Sequence, residues 1–358
     1  MNTPSENTLS KNTAMSRVIR VLVVDDSAFV RKVMRQMLTR SPFIEVVGVA
    51  RDGGEALELV EQLEPDVVTL DLNMPSSDGI TFLRAQMERR PVPVIVVSMA
   101  SKDGQQVIEA LEAGAVDVVQ KPTGLATERL LEITEELVAK VKVAATMPLR
   151  RQQVSVPTSP PPGQATTGRS CIDVVVCGIS TGGPQALKYL IPRLPANFPV
   201  PMVIVLHMPV GYTELFARSL NDVSALEVRE AHAGDVLRSG LVLLAPAGYH
   251  LTLRRVEHEV VTHLDLLPLD TVHRPAADVL FKSAAEVYGD RTLAVVMTGM
   301  GSDGTQGAAW VKAEGGKVLA ESEESCVVYG MPRSVVEAGL SDASVPLDQL
   351  ARRIMDLL

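Results

Sequence analysis

From Val18 onward the chain alternates short apolar runs with segments whose apolar residues recur at helical spacing. The runs are VIRVLVVDD, IEVVGVA, DVVTLD, VPVIVVSM and AVDVVQK. Between them, residues 29–38, 54–62, 80–88 and 105–112 carry the helical period, and a last helical stretch covers 128–141. Unbroken apolar runs of this length are strands covered on both faces. Their alternation with helices predicts a parallel sheet joined by right-handed crossovers. The pattern stops at 144–169, where VSVPTSPPPGQATTG offers prolines and small polar residues but little to bury. Such a stretch cannot offset the entropy of ordering and reads as a Pro-rich linker. Alternation resumes with IDVVVCG, VPMVIVLH, VLLAP and LAVVMTG, and with helices near 186–193 and 305–314. Segment 251–272 is less regular and has room for an antiparallel pair. The expected architecture is α/β, with two doubly wound parallel-sheet domains at 18–143 and 170–358. Residues 1–17 are expected to form a polar, disordered tail.

Composition narrows the classes. The net charge of −9, with no long basic run, argues against a nucleic-acid partner, because phosphate neutralisation needs a Lys/Arg surface. Three cysteines with no C-x-x-C spacing read as free thiols in a reducing compartment. The start, MNTPSENTLSKNTAMS, lacks the apolar core of a signal peptide. No apolar run reaches the roughly 18 residues of a spanning helix. A cytoplasmic protein without direct membrane insertion is expected.

In the first domain the polar residues that end the strands are Asp25, Asp26, Asp71, Ser98 and Lys121. A parallel sheet brings all five to its carboxyl edge, where such folds bind ligands. Three carboxylates together repel one another unless a cation is present, and hard oxygen donors suit Mg²⁺. Lys121 supplies a point charge for a phosphoryl oxygen, and Ser98 a hydrogen bond. Through VDDSAFVR, LDLNMPSSDG, SMASKDG and QKP, residues 18–140 resemble the receiver domain of two-component response regulators, a flavodoxin-like fold. The resemblance implies that Asp71 takes a phosphoryl group from a sensor histidine kinase. Asp25 and Asp26 would hold Mg²⁺ together with Asp71, and Ser98 and Lys121 would read the phosphoryl group. Val118 departs from the pattern, since receivers often carry an aromatic residue three before the lysine.

In the second domain VVVCGISTGGP runs from a strand into a turn around Ser180. A dinucleotide loop would need glycine at position 180 and an acid at the end of the next strand, which instead ends in His207. A plain strand-to-helix turn is the bland reading. The third reading is a nucleophile, because Gly178-Ile179-Ser180-Thr181-Gly182 fits G-x-S-x-G. A serine nucleophile needs a base, and the base an orienting acid. Among six histidines, His207 ends the next strand and so comes to the same edge; His273 is the second candidate, while His258 and His263 lie in a charged stretch. Asp303 follows the run LAVVM in a glycine-rich turn and arrives at that edge too.

The order Ser, His, Asp differs from that of α/β-hydrolases. With GISTGGP, LHMP, HRPAADVLF, MTGMGSDG and ESCVVYGMPR, it resembles the chemotaxis response-regulator methylesterases, the CheB family. The resemblance implies a Rossmann-like methylesterase domain with Ser180, His207 and Asp303 as the triad. Thr181 and Met300 would stand in active-site loops, with their N–H groups as oxyanion donors. It also implies phosphorylation-activated hydrolysis of glutamate γ-methyl esters on methyl-accepting chemoreceptors, deamidation of receptor glutamines, and no cofactor for the esterase step. Pro246-Ala247-Gly248 stands where Pro-Gly-Gly is expected. The alternatives are a non-catalytic receiver-linked signalling protein and a nucleotide-binding oxidoreductase. A DNA-binding regulator would need a basic recognition helix, and none is evident.

Overall fold

The computed structural model describes residues 17–74, 79–99, 104–121, 127–147 and 172–358. In the first domain β1 (Ile19–Val24), β2 (Ile44–Ala50), β3 (Val67–Leu70), β4 (Val94–Ser98) and β5 (Asp117–Gln120) alternate with five helices. These are α1 (Ala28–Leu38), α2 (Gly53–Leu63), α3 (Gly79–Arg89), α4 (Gly104–Glu112) and α5 (Thr127–Ala144). Local chemistry starts the helices. Asp52 caps α2 by accepting the Glu55 N–H at 2.9 Å, and the Glu55 carboxylate accepts the Arg51 N–H at 2.9 Å. All strand pairs are parallel, in the order β2-β1-β3-β4-β5. Alternate strand residues face opposite layers: Val21, Val23, Ile95 and Val97 pack with Leu137 and Val141 of α5, while Leu22, Val24, Val68 and Val94 face the other side.

The second domain contains a seven-stranded sheet, a hairpin and six helices. Its strands are β6 (Val174–Ile179), β7 (Met202–Leu206), β8 (Glu227–Glu230), β9 (Leu241–Leu244), β10 (His250–Val256), β11 (Glu259–Asp265), β12 (Thr292–Val296), β13 (Lys317–Glu321) and β14 (Ala343–Val345). Its helices are α6 (Gly183–Leu190), α7 (Thr213–Asn221), α8 (Ala277–Tyr288), α9 (Thr305–Ala313), α10 (Met331–Glu337) and α11 (Leu347–Leu357). The main sheet is parallel throughout, in the order β14-β13-β12-β6-β7-β9-β8. Strands β10 and β11 form the antiparallel pair expected in 251–272. The α/β class with two parallel sheets is therefore borne out.

Two features differ from the sequence reading. The first domain does not end at 143: Ala144 closes α5 and is buried in that domain's core, with Ala145 and Met147 packed against it. Apolar spacing continues through the last turn, which is why the helix runs on. Strands β8, β13 and β14 and helices α7, α8, α10 and α11 were not anticipated; EVRE is polar and ASV too short to show a period. The rest of the expected linker, and residues 1–16 of the tail, lie outside the described residues. Among the described residues no helix is long and apolar enough to cross a membrane.

Candidate active site

The three central strands of the second sheet, β12, β6 and β7, deliver the three expected side chains. Register pairs Ile179 with Leu206, and the His207 N–H donates to the Ile179 carbonyl at 3.1 Å. Ser180 and His207 therefore leave neighbouring strands at the same level. On the other side the Ser180 N–H donates to the Thr298 carbonyl at 3.0 Å, in the loop that leads from β12 to Asp303. Ser180 is 9% exposed.

Asp303 and His207 meet directly: Nε2 of His207 lies 2.8 Å from Oδ2 of Asp303. That carboxylate also accepts the N–H groups of Ala277 (2.6 Å), Asp278 (2.9 Å) and Gly304 (3.0 Å). The first two open α8, where the helix dipole favours an anion. Burial alone would raise the Asp303 carboxyl. The hydrogen bond and charge of His207, with the two backbone N–H groups, outweigh it and hold the group below the usual carboxylate range. An ionised carboxylate only accepts, so Nε2 carries the proton and Nδ1 carries the lone pair. Nδ1 is buried and has no hydrogen-bond partner among the described residues, and the same set offers none to Ser180 Oγ.

The turn at Ser180 depends on close packing. Gly182 adopts φ +79°, and a Cβ there would stand 2.5 Å from Cβ of Val327. A Cβ on Gly299 would stand 2.8 Å from Cβ of Ser180. Thr298 ties these loops together. Its hydroxyl donates to the Thr181 carbonyl at 3.0 Å and accepts the Val328 N–H at 2.9 Å, while its own N–H donates to buried Glu321 at 2.9 Å. Segment 326–331 is thereby fixed against the Met300 loop, with Gly330 and Met331 N–H groups both donating to the Gly299 carbonyl. Among the described residues the N–H groups of Thr181 and Met300 have no acceptor.

Among the described residues His273 is not paired with an acid. Its ring stacks on that of His207, with centroids 4.1 Å apart and planes 24° from parallel. The remaining histidines stand elsewhere. His250 is buried with Nε2 near the Pro268 carbonyl (3.1 Å) and the Thr271 hydroxyl (3.0 Å). His232 and His258 are exposed, and His263 is half-buried on β11.

At the edge of the first sheet, carboxylate oxygens of Asp25, Asp26 and Asp71 all lie within 4.8 Å of one another. Lys121 reaches Asp71 at 2.6 Å and Asp25 at 2.9 Å. Burial pushes the Asp71 carboxyl up, and Lys121 offsets part of that rise. Burial also works against the charge on Lys121, but its two carboxylate partners prevail and hold the ammonium above its usual value. The donor set is all carboxylate oxygen with one exposed member, which fits a hard divalent cation that keeps waters. Ser98 is fully buried at the end of β4.

The two sites are joined through the domain contact. Thr181, next to Ser180, donates its hydroxyl to Asp117 of the first domain at 2.7 Å. The same carboxylate accepts from Lys140 of α5 at 2.9 Å. Gln185 donates to the Ala115 carbonyl at 2.6 Å, Ser219 donates to Glu112 at 2.8 Å, and Lys188 pairs with Glu112. Ser98 lies 3.4 Å from the phenol oxygen of Tyr212, from the second domain. Sequence reasoning missed Asp117, Lys140 and Tyr212. Asp117, a lone charge between apolar residues, was the available signal.

A family profile described as CheB methylesterase matches residues 175–354, and one described as response regulator receiver domain matches 21–135. A Myxococcus xanthus protein named protein-glutamate methylesterase/protein-glutamine glutaminase 5 is 53% identical over 332 residues, covering 92% of this chain and 95% of its own. A Thermotoga maritima protein of the same name without the numeral is 43% identical over 347 residues, covering 96% and 99%. The solved catalytic domain of Thermotoga maritima CheB methylesterase superposes with a TM-score of 0.51 at 44% identity, covering 52% of this chain and 99% of that domain.

Proposed function

The chain belongs to the CheB methylesterase family, and on that premise we propose that Ser180 is the nucleophile of a phosphorylation-activated protein-glutamate methylesterase and protein-glutamine glutaminase. The observation that carries the reading is the 2.8 Å hydrogen bond from His207 to Asp303, with His207 beside Ser180 at the ends of adjacent strands.

Ser180 Oγ attacks the ester carbonyl of a receptor glutamyl side chain while Nδ1 of His207 takes its proton. In this arrangement Nε2, rather than Nδ1, faces the acid, the reverse of the Ser-His-Asp template. Asp303 keeps the proton on Nε2 and stabilises the imidazolium. The tetrahedral oxyanion is received by the N–H groups of Thr181 and Met300, each contributing about 2.7–4 kcal/mol. Collapse breaks the bond to the methoxy oxygen, and His207 returns the proton so that methanol leaves. Water then attacks the acyl-enzyme, giving its proton to His207, and the glutamate carboxylate departs as Ser180 is reprotonated. A glutamine enters the same route with ammonia as leaving group.

Asp71 accepts the phosphoryl group from a sensor histidine kinase, and Asp25, Asp26 and Asp71 would hold Mg²⁺. The ion supplies charge neutralisation for the phosphoryl oxygens. Before phosphorylation Asp117 keeps Thr181 engaged and the receiver covers the loop beside Ser180. Phosphorylation turns Lys121 and Ser98 toward the new oxygens, which takes the Ser98 hydroxyl away from Tyr212. The aromatic absent at Val118 is thus supplied by the catalytic domain, and its release loosens the contact at α7 and Thr181.

The test is incubation of the full-length protein with membranes bearing methylated chemoreceptors. Methanol release, and conversion of receptor glutamines to glutamates read by mass spectrometry, are expected. Formation of neither product overturns the reading.

A further inference from the structure

We propose that His273 is a positioning residue for the esterase reaction, whose ring fixes the plane of the His207 imidazole so that Nδ1 stays in line with Ser180. The inference rests on the reading of His207 as the general base.

One hydrogen bond to Asp303 pins a single atom of the His207 ring and leaves the plane free to rock about it. The stacked ring of His273, 4.1 Å away, removes that freedom. Its own placement is fixed from both sides. The Arg274 carbonyl accepts the Gly248 N–H at 3.0 Å, and a few residues on, Ala277 and Asp278 grip the Asp303 carboxylate. One short segment, 273–278, therefore sets both the acid that holds Nε2 and the surface against which the ring lies.

The chemistry of His273 suits this task and not that of a second base. None of the four hydrogen bonds to Asp303 comes from it, and among the described residues no other acid pairs with it. Burial, reinforced by His207 and by Lys140, lowers it to about 4 against the opposing pull of Asp303. Its ring is neutral at neutral pH. When His207 takes the serine proton, the new cation lies against an aromatic face instead of a second positive charge, a favourable arrangement. The Lys140 ammonium is itself paired with Asp117 and Glu136.

The experiment compares His273→Ala and His273→Phe with wild type in the full chain, with phosphodonor and methylated receptor membranes. For His273→Ala, kcat falls by about 10- to 100-fold, the cost of about 1 Å of misplacement, with KM within about twofold. His273→Phe keeps the stack and returns kcat to within about threefold of wild type. Wild-type kcat in His273→Ala overturns the proposal. So does an equal loss in His273→Phe when both variants melt as wild type does, since the ring nitrogens would then carry the role. Absence of methanol release from wild type itself would instead defeat the functional reading.

Discussion

Ser180→Ala lowers methanol release by the phosphorylated enzyme by about 10³- to 10⁶-fold in kcat, with folding unchanged. The magnitude follows from how a nucleophile and its base act as a unit: removing one disables both, and only the oxyanion donors and binding remain. Stability is spared for a local reason. Ser180 Oγ has no hydrogen-bond partner among the described residues, so its loss leaves no buried group unsatisfied. Alanine keeps the Cβ that packs beside Gly299. The check is methanol release and thermal melting measured on one preparation. Activity within tenfold of wild type, in a variant that melts normally, would reject Ser180 as nucleophile.

Asp303→Asn gives the second large effect, a fall of about 10⁴-fold in kcat. The amide NH₂ replaces one acceptor oxygen, so it meets Nε2 as a donor. The imidazole must then carry its proton on Nδ1, the nitrogen that should accept from Ser180. This variant also loses stability, because the carboxylate accepts two N–H groups at the start of α8 and an amide can satisfy only part of that set. The expected cost is about 1–3 kcal/mol. The pH dependence has a definite sign. The Asp303 carboxyl is lowered in the folded protein, so its stabilisation is fully present above about pH 4 and is lost as pH falls through the lowered value. In Asp303→Asn that contribution is absent at every pH. Melting curves at pH 7 and kcat together check both effects, and a variant with wild-type kcat contradicts the assignment.

How much of this was legible in the sequence depends on which contacts are local. VVVCG, MVIVL and LAVVM announce themselves as buried strands, and parallel crossovers force their carboxyl ends to one edge. Ser180, His207 and Asp303 could be assigned to one rim on that basis. The order β12-β6-β7, which sets Asp303 on one flank of Ser180 and His207 on the other, is a long-range pairing with no trace in periodicity. The same holds for His273, whose value as a stacking partner depends on where 273–278 passes over His207. In the receiver, the strand-end residues Asp25, Asp71 and Lys121 were readable for the same reason as the triad. Asp117 was not: it opens an apolar run and looked like part of a strand, yet its carboxylate crosses to Thr181 in the other domain. Tyr212 reaches Ser98 only because the domains pack, and nothing in either local pattern foretells that.

Under the proposed function, a triad at the second sheet is governed by a carboxylate in the first. Methanol release from methylated chemoreceptor membranes, with Mg²⁺ and with or without a small phosphodonor, tests it for wild type and Asp71→Asn side by side. The phosphodonor is expected to accelerate wild type and to leave Asp71→Asn at its unstimulated rate. Equal acceleration of the two proteins would contradict it.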